Sequence, residues 1–560
     1  MNVKPADVQA KIKEISADGQ FFELKDVELA GQSYKAFKHA PSCLLDAIQS
    51  GRGYGDVDFL VYEGKRFTFT EFFRQADAMA AALQNEYGVV KGDRVAIAMR
   101  NRPEWTVAFI ASISIGAIAV PINSWGKTEE LSYAISDCGA KVLVADEARF
   151  ALIEKKLEQL GITAIVPVDT DLPNGAIDFA ATLEAHSGSQ YVLDQPSQED
   201  ICLILYTSGS TGFPKGVAHR QIAVAQALMN MMFLGYLVMS LEGERSLRGG
   251  AERESPMLTV PLFHGTGLLS GLLIPLQLGQ KVVMMYKWDT QNALRLIQDE
   301  KVTGLTSVPA VLQALFSAPN FDDFATESLM RISAAGAATP AGLPQLIEQK
   351  IGKPSRSAGW AMTETLAIGT TASGVVFDLA PSSAGVQSPI CELRFVDDDD
   401  NVLSYGEEGE IEFRGVTMTA GYWEKPEANA ETLHDGWLKT GDIGRFDEDD
   451  YMYITGRKKE IIIRGGENIY PGEIEDVAYR LESVHENVVF GVPDNTMGEE
   501  MVLVAFGEQG LSPELIRAHL SANIAAYKVP KHIIVLDDPL PKNASGKLFK
   551  RQLKDEYVAQ

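Results

Sequence analysis

The chain of 560 residues is long enough for three to five folding units, at roughly 100–200 residues per domain. Its 50 Lys and Arg residues stand against 76 Asp and Glu residues, and the net charge of −26 at pH 7 argues against a general affinity for nucleic acid or anionic membranes. Hydrophobic residues make up 46% and charged residues 22%, a balance that indicates a globular protein with a large core and excludes global disorder.

The sequence predicts neither export nor insertion into a membrane. Its first 30 residues lack the basic start and apolar run of a signal peptide. The apolar stretch from Val107 to Val120 is shorter than the roughly 20 residues that span a bilayer, so we predict a buried helix followed by a strand that ends at Pro121. We expect a cytoplasmic protein, because the four cysteines form no CxxC pair and favour a reducing compartment: Cys43, Cys138, Cys202 and Cys391.

Helix and strand patterns alternate between residues 65 and 145. Apolar residues at helical spacing (FTEFFRQADAMAAALQNEY) precede the short β-like run DRVAIAM, which is followed by a helix and by the runs IAVPIN and AKVLVAD. This alternation is typical of parallel βαβ units with helices on both faces of a sheet. It predicts an α/β fold.

Other parts of the chain have patterns that predict different structures. The run DVDFLVYEG and the stretch from Ile390 to Phe413 predict antiparallel hairpins. Four consecutive aspartates, Asp397 to Asp400, fit a solvated turn better than a calcium site, because no ligand spacing follows them. From Gly456 onward, short strands and helices alternate over the last 105 residues, which predicts a separate α+β domain.

The segment Tyr206–Val217 (YTSGSTGFPKGV) is the most informative in the chain. It follows the apolar run ICLIL and precedes a helical pattern that begins near Gln221. Glycines let a backbone approach an anion, hydroxyls donate hydrogen bonds and a lysine supplies charge, so the segment predicts a phosphate cradle. The alternatives are a flexible Gly/Ser loop and an ordinary P-loop, but Pro214 and Gly216 around the lysine break the Walker pattern GxxxxGK[ST]. The predicted contacts are Thr207, Ser208, Gly209, Ser210, Thr211, Gly212 and Lys215.

This segment and four later motifs resemble the adenylate-forming superfamily of acyl-CoA synthetases, luciferases and peptide-synthetase adenylation domains. In chain order the later motifs are GWAMTE (Gly359–Glu364), GWLKTGD (Gly436–Asp442), GRKKEIIIRGGENIYPGEIE (Gly456–Glu475) and PKNASGK (Pro541–Lys547). The resemblance implies a large N-terminal domain (1–455) of several subdomains with stacked, mostly parallel sheets. It also implies a small, mobile C-terminal domain (456–560).

The resemblance assigns the catalytic roles. Such enzymes convert a carboxylate to a mixed anhydride with AMP, a step that brings negative charges together and needs electrostatic neutralisation. Lys547 resembles the mobile lysine that bridges the substrate carboxylate and the α-phosphate of ATP. Thr363 resembles a hydroxyl contact of that phosphate, Glu364 resembles the Mg²⁺ ligand, and Thr207 is a second candidate for the metal. The alternative for Lys547 is plain surface charge.

The same resemblance predicts the nucleotide contacts. Trp360 stands where relatives stack an aromatic ring on adenine, with a core residue as the alternative. Asp442 resembles the carboxylate that accepts both ribose hydroxyls, with a turn aspartate as the alternative, and Arg457 resembles an additional cationic contact. The stretch AAGAATP resembles the loop along adenine, although relatives more often have GGAP; the expected contacts are Gly336, Ala337 and Ala338.

Coenzyme A is implied as the second co-substrate. Lys459 matches the hinge about which the C-terminal domain rotates after adenylation, and Gly466 matches a glycine of the face that forms the thioester. Gly466 also fits a simple hairpin turn. Thirteen residues follow Lys547, which favours a stand-alone ligase over a module fused to a carrier domain.

The identity of the acid is the least constrained prediction. His264 in PLFHGTG matches a position beside the substrate carboxylate, with a structural histidine as the alternative, and the small Ala361 leaves an acyl pocket open. The Met- and Leu-rich helix from Gln221 could line an aliphatic channel or belong to the core. We favour a medium- or long-chain fatty acid, with an aryl or other apolar acid, or loading of a carrier protein, as alternatives. The sequence allows a homodimer without specifying one.

Overall fold

The computed structural model describes residues 3–168, 171–207, 214–243, 253–334, 342–352, 354–464, 467–494, 496–542 and 548–558. As far as residue 207 the elements are α1 (Pro5–Ile15), β1 (Leu24–Leu29), β2 (Gln32–Phe37), α2 (Leu44–Ser50), β3 (Asp58–Tyr62), β4 (Lys65–Thr68), α3 (Phe69–Ala81), β5 (Arg94–Ala98), α4 (Pro103–Ser114), β6 (Ile118–Pro121), α5 (Thr128–Asp137), β7 (Ala140–Ala145), α6 (Glu147–Ile153), α7 (Leu157–Leu160), β8 (Thr163–Val166), β9 (Ile177–Asp178), α8 (Phe179–Ala185) and β10 (Ile201–Thr207).

The middle of the chain continues the alternation of helices and short strands. Its elements are β11 (Lys215–Arg220), α9 (Gln221–Glu242), β12 (Pro256–Leu258), α10 (Gly265–Leu268), α11 (Ile274–Gln277), β13 (Val282–Met284), α12 (Thr290–Glu300), β14 (Gly304–Ser307), α13 (Pro309–Phe316), β15 (Arg331–Ala334), α14 (Leu343–Ile351), β16 (Ser355–Trp360), β17 (Thr370–Ser373), α15 (Val375–Leu379) and β18 (Val386–Gln387).

The last third is richer in antiparallel strands. It contains β19 (Cys391–Val396), β20 (Gly409–Gly415), β21 (Gly421–Tyr422), α16 (Pro426–Thr432), β22 (Leu433–His434), β23 (Trp437–Phe446), β24 (Met452–Arg457), β25 (Ile462–Arg464), β26 (Glu467–Ile469), α17 (Pro471–Tyr479), β27 (Val484–Asp494), β28 (Gly498–Gly507), α18 (Pro513–Asn523), β29 (His532–Val535) and α19 (Lys550–Val558).

Two large, mostly parallel sheets form the body of the protein. Among the described residues, one has the strand order β21-β11-β10-β6-β5-β7-β8-β9 and the other β18-β17-β16-β15-β14-β12-β13-β3-β4. Helices α3 and α4 pack between them, in a core that takes side chains from both sheets, including Val95 and Ile97 of one and Phe59 and Leu60 of the other. The α/β prediction with stacked sheets is therefore confirmed.

Smaller sheets complete the chain. Strands β19, β20, β23, β22 and β24 form an antiparallel sheet. Strands β25 to β29 form a mixed sheet, in which β29 runs parallel to β28 and the other pairs are antiparallel, with its own core around Ile474 and Leu503. The hairpins predicted from DVDFLVYEG and from residues 390–413 are both present, as β3-β4 and β19-β20. Strand β24 passes through the predicted division between residues 455 and 456 and pairs with β23. The division itself stays a prediction.

Helix α9 belongs largely to the core. It is the helix of the described chain that is long and apolar enough to cross a membrane, but 61% of its most apolar window is buried inside the protein. Its first turns enter the core between the large sheets, and Phe233 and Leu237 join a second core with the N-terminal segment. The side chain of Gln226 exchanges hydrogen bonds of 2.7 and 3.0 Å with the backbone of Phe37. These contacts support the core interpretation of the helix.

Candidate active site

The predicted phosphate segment joins two paired strands. Strands β10 and β11 are antiparallel, and their register places Thr207 opposite Lys215. The Thr207 hydroxyl donates to the Lys215 carbonyl oxygen at 3.4 Å. The helix predicted to begin near Gln221 is confirmed as α9, whereas β11, which lies between the loop and α9, was not predicted. Thr207 and Lys215 thus flank the same end of the hairpin.

Tyr422 joins this hairpin to the GWAMTE motif. Strand β21 pairs with β11, with Val217 opposite Tyr422. The Lys215 ammonium nitrogen lies 4.8 Å from the centroid of the Tyr422 ring, and the Tyr422 hydroxyl donates to Glu364 Oε1 at 2.7 Å. Lys215 and Glu364, which are 149 positions apart in sequence, therefore contact the same side chain. Tyr422 was not predicted as a site residue, because a two-residue strand carries no periodicity that would reveal it.

Glu364 is a buried carboxylate. It is 7% exposed, and burial raises its pKa while the hydrogen bond from Tyr422 opposes that shift. Its carbonyl oxygen accepts a hydrogen bond of 2.7 Å from the backbone N–H of Thr419, whose hydroxyl donates to the carbonyl of Ala218 on β11. The short helical turn Thr363–Thr365 is therefore fastened to the strand that begins at Lys215.

Trp360 and Asp442 bind each other. The indole N–H of Trp360 donates to Asp442 Oδ2 at 2.7 Å, and Arg457 Nε lies 2.9 Å from Asp442 Oδ1. Trp360 is 7% exposed and packs in a core with Phe413 and other apolar residues. Backbone also covers part of the indole, since a Cβ at Gly369 would lie 2.7 Å from Trp360 Cε3. Adenine stacking by Trp360 and ribose binding by Asp442 stay predictions, and in this structure both Asp442 oxygens contact donors of the protein.

His264 precedes the short helix α10 and lies close to β10. Its Nε2 is buried and has no hydrogen-bond partner among the described residues, and burial lowers the pKa of the ring to about 4. The adjacent Gly265 is close to strand β10, because a Cβ there would lie 3.7 Å from Leu205 Cδ1. The imidazole is therefore neutral at physiological pH, beside the strand that leads to Thr207. Its contact with a substrate stays a prediction.

The residues on either side of Lys459 form ion pairs with different parts of the protein. Lys458 binds Glu410 of strand β20 at 2.9 Å and Asp398, in the turn between β19 and β20, at 3.2 Å. Glu460 binds Lys550, on the last helix, at 2.8 Å. Lys459 itself is exposed. The chain is thus fastened to different parts of the molecule on either side of the predicted hinge, which stays a prediction.

Several other basic residues of the C-terminal part form ion pairs with carboxylates. Arg464 binds Glu500 at 2.8 Å, and Lys542 binds Glu486. Glu475 provides Lys550 with a second partner at 3.0 Å. These cations are therefore held by the protein's own carboxylates in this conformation.

The described residues suit a magnesium ion that is shared with phosphate. They contain no group of three or more His, Cys, Asp or Glu side chains able to enclose a metal. Mg²⁺ commonly takes one or two protein carboxylates and completes its shell with phosphate oxygens and water. Glu364, buried beside the hairpin of Thr207 and Lys215, fits that requirement.

Two family descriptions match the chain. The AMP-binding enzyme description matches residues 48–423, and the AMP-binding enzyme C-terminal domain matches residues 473–547. The chain belongs to the AMP-binding enzyme family. This result confirms the resemblance to the adenylate-forming superfamily. The family uses ATP and CoA as substrates, which supports the acid:CoA ligase class.

Curated relatives and solved structures agree with this membership. The chain is 30% identical to the "Long-chain-fatty-acid--CoA ligase FadD13" of Mycobacterium tuberculosis, over 88% of this chain and 94% of the relative. It is also 30% identical to the "Long-chain-fatty-acid--CoA ligase" of Bacillus subtilis, over 92% and 95%. The crystal structure of the anthranilate CoA ligase AuaEII with anthranoyl-AMP superposes with a TM-score of 0.83 at 26% identity, over 93% of this chain and 99% of that one.

Several predicted contacts lie outside the described residues, and their roles stay predictions. They belong to the phosphate loop, the adenine loop, the thioester-forming face and the C-terminal lysine motif: Ser208, Gly209, Ser210, Thr211, Gly212, Gly336, Ala337, Ala338, Gly466 and Lys547. The polar segment Glu242–Ser255 (EGERSLRGGAERES), whose sequence indicates no role, is also only partly described.

Proposed function

We propose that this protein is an ATP-dependent acid:CoA ligase that activates a medium- or long-chain fatty acid. The observation that carries the proposal is the arrangement of Lys215 and Glu364 around Tyr422. It lies at the end of the β10–β11 hairpin from which the phosphate segment departs. It places a cation and a buried carboxylate on either side of one tyrosine, where the family's motifs put the phosphates of ATP. Such a pair suits a reaction whose main requirement is the neutralisation of phosphate charge.

The first half-reaction joins the acid to AMP. A carboxylate oxygen attacks the α-phosphorus of ATP, the bond to the bridging oxygen breaks, and pyrophosphate leaves. Lys215 stabilises the phosphates, Thr363 contacts the α-phosphate, and Lys547 holds the acid and that phosphate together. Glu364 and Thr207 would hold Mg²⁺, which when bound neutralises phosphate charge.

The second half-reaction transfers the acyl group to CoA. The thiolate of CoA attacks the acyl carbonyl carbon, a thioester forms, and AMP leaves with the electron pair of the anhydride bond. Rotation of the chain that follows Lys459, the hinge of the predicted C-terminal domain (456–560), would bring Gly466 to the passage of the CoA arm. The ion pairs of Lys458 and Glu460 support this hinge, because they hold the two sides of residue 459 to different parts of the protein.

The curated relatives support a fatty acid, whereas the structural neighbour supports a second candidate. The two relatives named above are long-chain-fatty-acid ligases, and Ala361 leaves the pocket unobstructed by a large side chain. The anthranilate ligase superposes with a TM-score of 0.83, which favours an aryl acid as the alternative. The four free, buried cysteines support the cytoplasm as the compartment.

Measuring AMP and pyrophosphate formation with a panel of acids tests the proposal. The panel runs from acetate to long-chain fatty acids and includes aryl acids, each with and without CoA. We expect acid-dependent pyrophosphate release and CoA-dependent AMP release, with an optimum at medium or long chains. An aryl optimum would overturn the fatty acid. Formation of ADP would overturn adenylation, and transfer to a carrier protein but not to CoA would favour a loading enzyme.

A lysine variant separates the half-reactions. Lys547→Ala should slow adenylation by a few powers of ten while thioester formation from supplied acyl-AMP continues. Lys554→Ala, on helix α19, is the matched control and should slow neither reaction. An equal loss in both half-reactions would contradict the two-conformation scheme.

A further inference from the structure

Tyr422 contacts two charged groups of opposite sign. Its hydroxyl donates to Oε1 of Glu364 at 2.7 Å. The Lys215 ammonium lies 4.8 Å from its ring centroid, within the distance at which a cation is attracted to the negative face of an aromatic ring. One side chain therefore contacts both a cation and a carboxylate.

The backbone of Tyr422 is hydrogen-bonded through both its N–H and its carbonyl group. The side chain of Asn429 accepts from the N–H of Tyr422 at 2.6 Å and donates to its carbonyl oxygen at 3.1 Å. The next N–H, of Trp423, donates to the carbonyl oxygen of Gly216 at 2.7 Å, beside Lys215. A residue whose backbone is hydrogen-bonded in this way is suited to hold the side chains that it contacts.

We infer that Tyr422 is a positioning residue that holds the Lys215 ammonium and the Glu364 carboxylate in fixed relative positions. The phosphate bound by Lys215 and the metal ion bound by Glu364 are thereby held side by side. The inference rests on the proposed function, which takes Lys215 as a phosphate contact and Glu364 as the metal ligand. Tyr422 need not touch substrate, since it acts through these two groups. Loss of its hydroxyl should weaken the binding of the metal ion through Glu364. Loss of its ring should also weaken the binding of phosphate through Lys215.

Calorimetry of ATP binding, with EDTA and with Mg²⁺, separates these two contributions. Tyr422→Phe keeps the ring, so affinity in EDTA should stay within about twofold of wild type, whereas the factor by which Mg²⁺ tightens binding should fall about tenfold. Tyr422→Leu should lose that factor and also bind ATP about three- to tenfold more weakly in EDTA. Tyr191→Phe is the matched control, because its hydroxyl donates to Asp77 at 2.8 Å away from this site.

The results distinguish the inference from the proposed function. A wild-type protein that binds no ATP overturns both. A wild type that binds ATP and releases pyrophosphate, with Tyr422→Phe showing an unchanged Mg²⁺ factor, overturns the inference alone. An equal loss in EDTA and in Mg²⁺ for Tyr422→Phe also overturns it, because a general distortion would produce that pattern. Tyr422→Phe decides the question even if Tyr422→Leu does not fold.

Discussion

Replacing Trp360 with Phe removes the indole N–H that donates to Asp442 at 2.7 Å. Asp442 is 5% exposed, so water cannot readily replace the lost donor. A hydrogen bond to a charged group contributes about 1.5–3 kcal/mol to stability. The substitution also leaves a cavity, because phenylalanine is smaller than tryptophan, and a control is needed to remove that contribution.

Trp105 supplies the control. It is fully buried, and its indole N–H has no hydrogen-bond partner among the described residues. Trp105→Phe makes the same change in side-chain volume without breaking a hydrogen bond, and it removes a polar group whose burial is unfavourable. Trp360→Phe should therefore lower the free energy of unfolding by about 2 kcal/mol more than Trp105→Phe.

Urea denaturation followed by far-UV circular dichroism measures this difference. Both substitutions lie before residue 455, so the transition of the N-terminal part is compared between the two variants. If Trp360→Phe proves no more destabilising than Trp105→Phe, the bond to Asp442 contributes nothing net and the reasoning is refuted.

Three further predictions concern buried side chains. Glu364→Gln removes the carboxylate charge, so kcat/KM for ATP should fall about hundredfold or more in a pyrophosphate-release assay; an unchanged rate would exclude this residue as the metal ligand. Burial lowers the pKa of His264 from 6.5 to about 4, so the unfolded chain gains the proton first as the pH falls, and this residue should remove about 2 kcal/mol of stability between pH 6.5 and about pH 5. His264→Asn should flatten the pH profile of unfolding by that amount, and a slope equal to wild type would contradict the assignment. Burial also raises the pKa of all four cysteine thiols, so a thiol reagent should modify them slowly in the folded protein and fully in urea; rapid reaction without urea would contradict their burial.

Local patterns predicted much of the fold. The alternation between residues 65 and 145 corresponds to α3, β5, α4, β6, α5 and β7, and the stretch before Pro121 is the buried helix and strand that were expected. These elements could be predicted because each carries its own hydrophobic period and the parallel strands are buried on both faces.

The site was less predictable, because its contacts join distant parts of the chain. The bond between Tyr422 and Glu364 spans 58 positions, and the bond between Trp360 and Asp442 spans 82. The motifs predict Trp360 and Asp442 as two separate ligand contacts and do not reveal that the two side chains bind each other. Strand β21 has two residues, too few to show any period.

The packing of helix α9 against the N-terminal segment has a consequence for synthesis. Phe37 receives its buried partner Gln226 only after a further 189 residues have been added. At about 5–20 residues per second, the ribosome needs roughly 10–40 s to make them. During that interval the apolar side chains of the first helix and hairpin lack the part of their core that α9 supplies, so they stay more exposed to solvent in the nascent chain than in the finished protein.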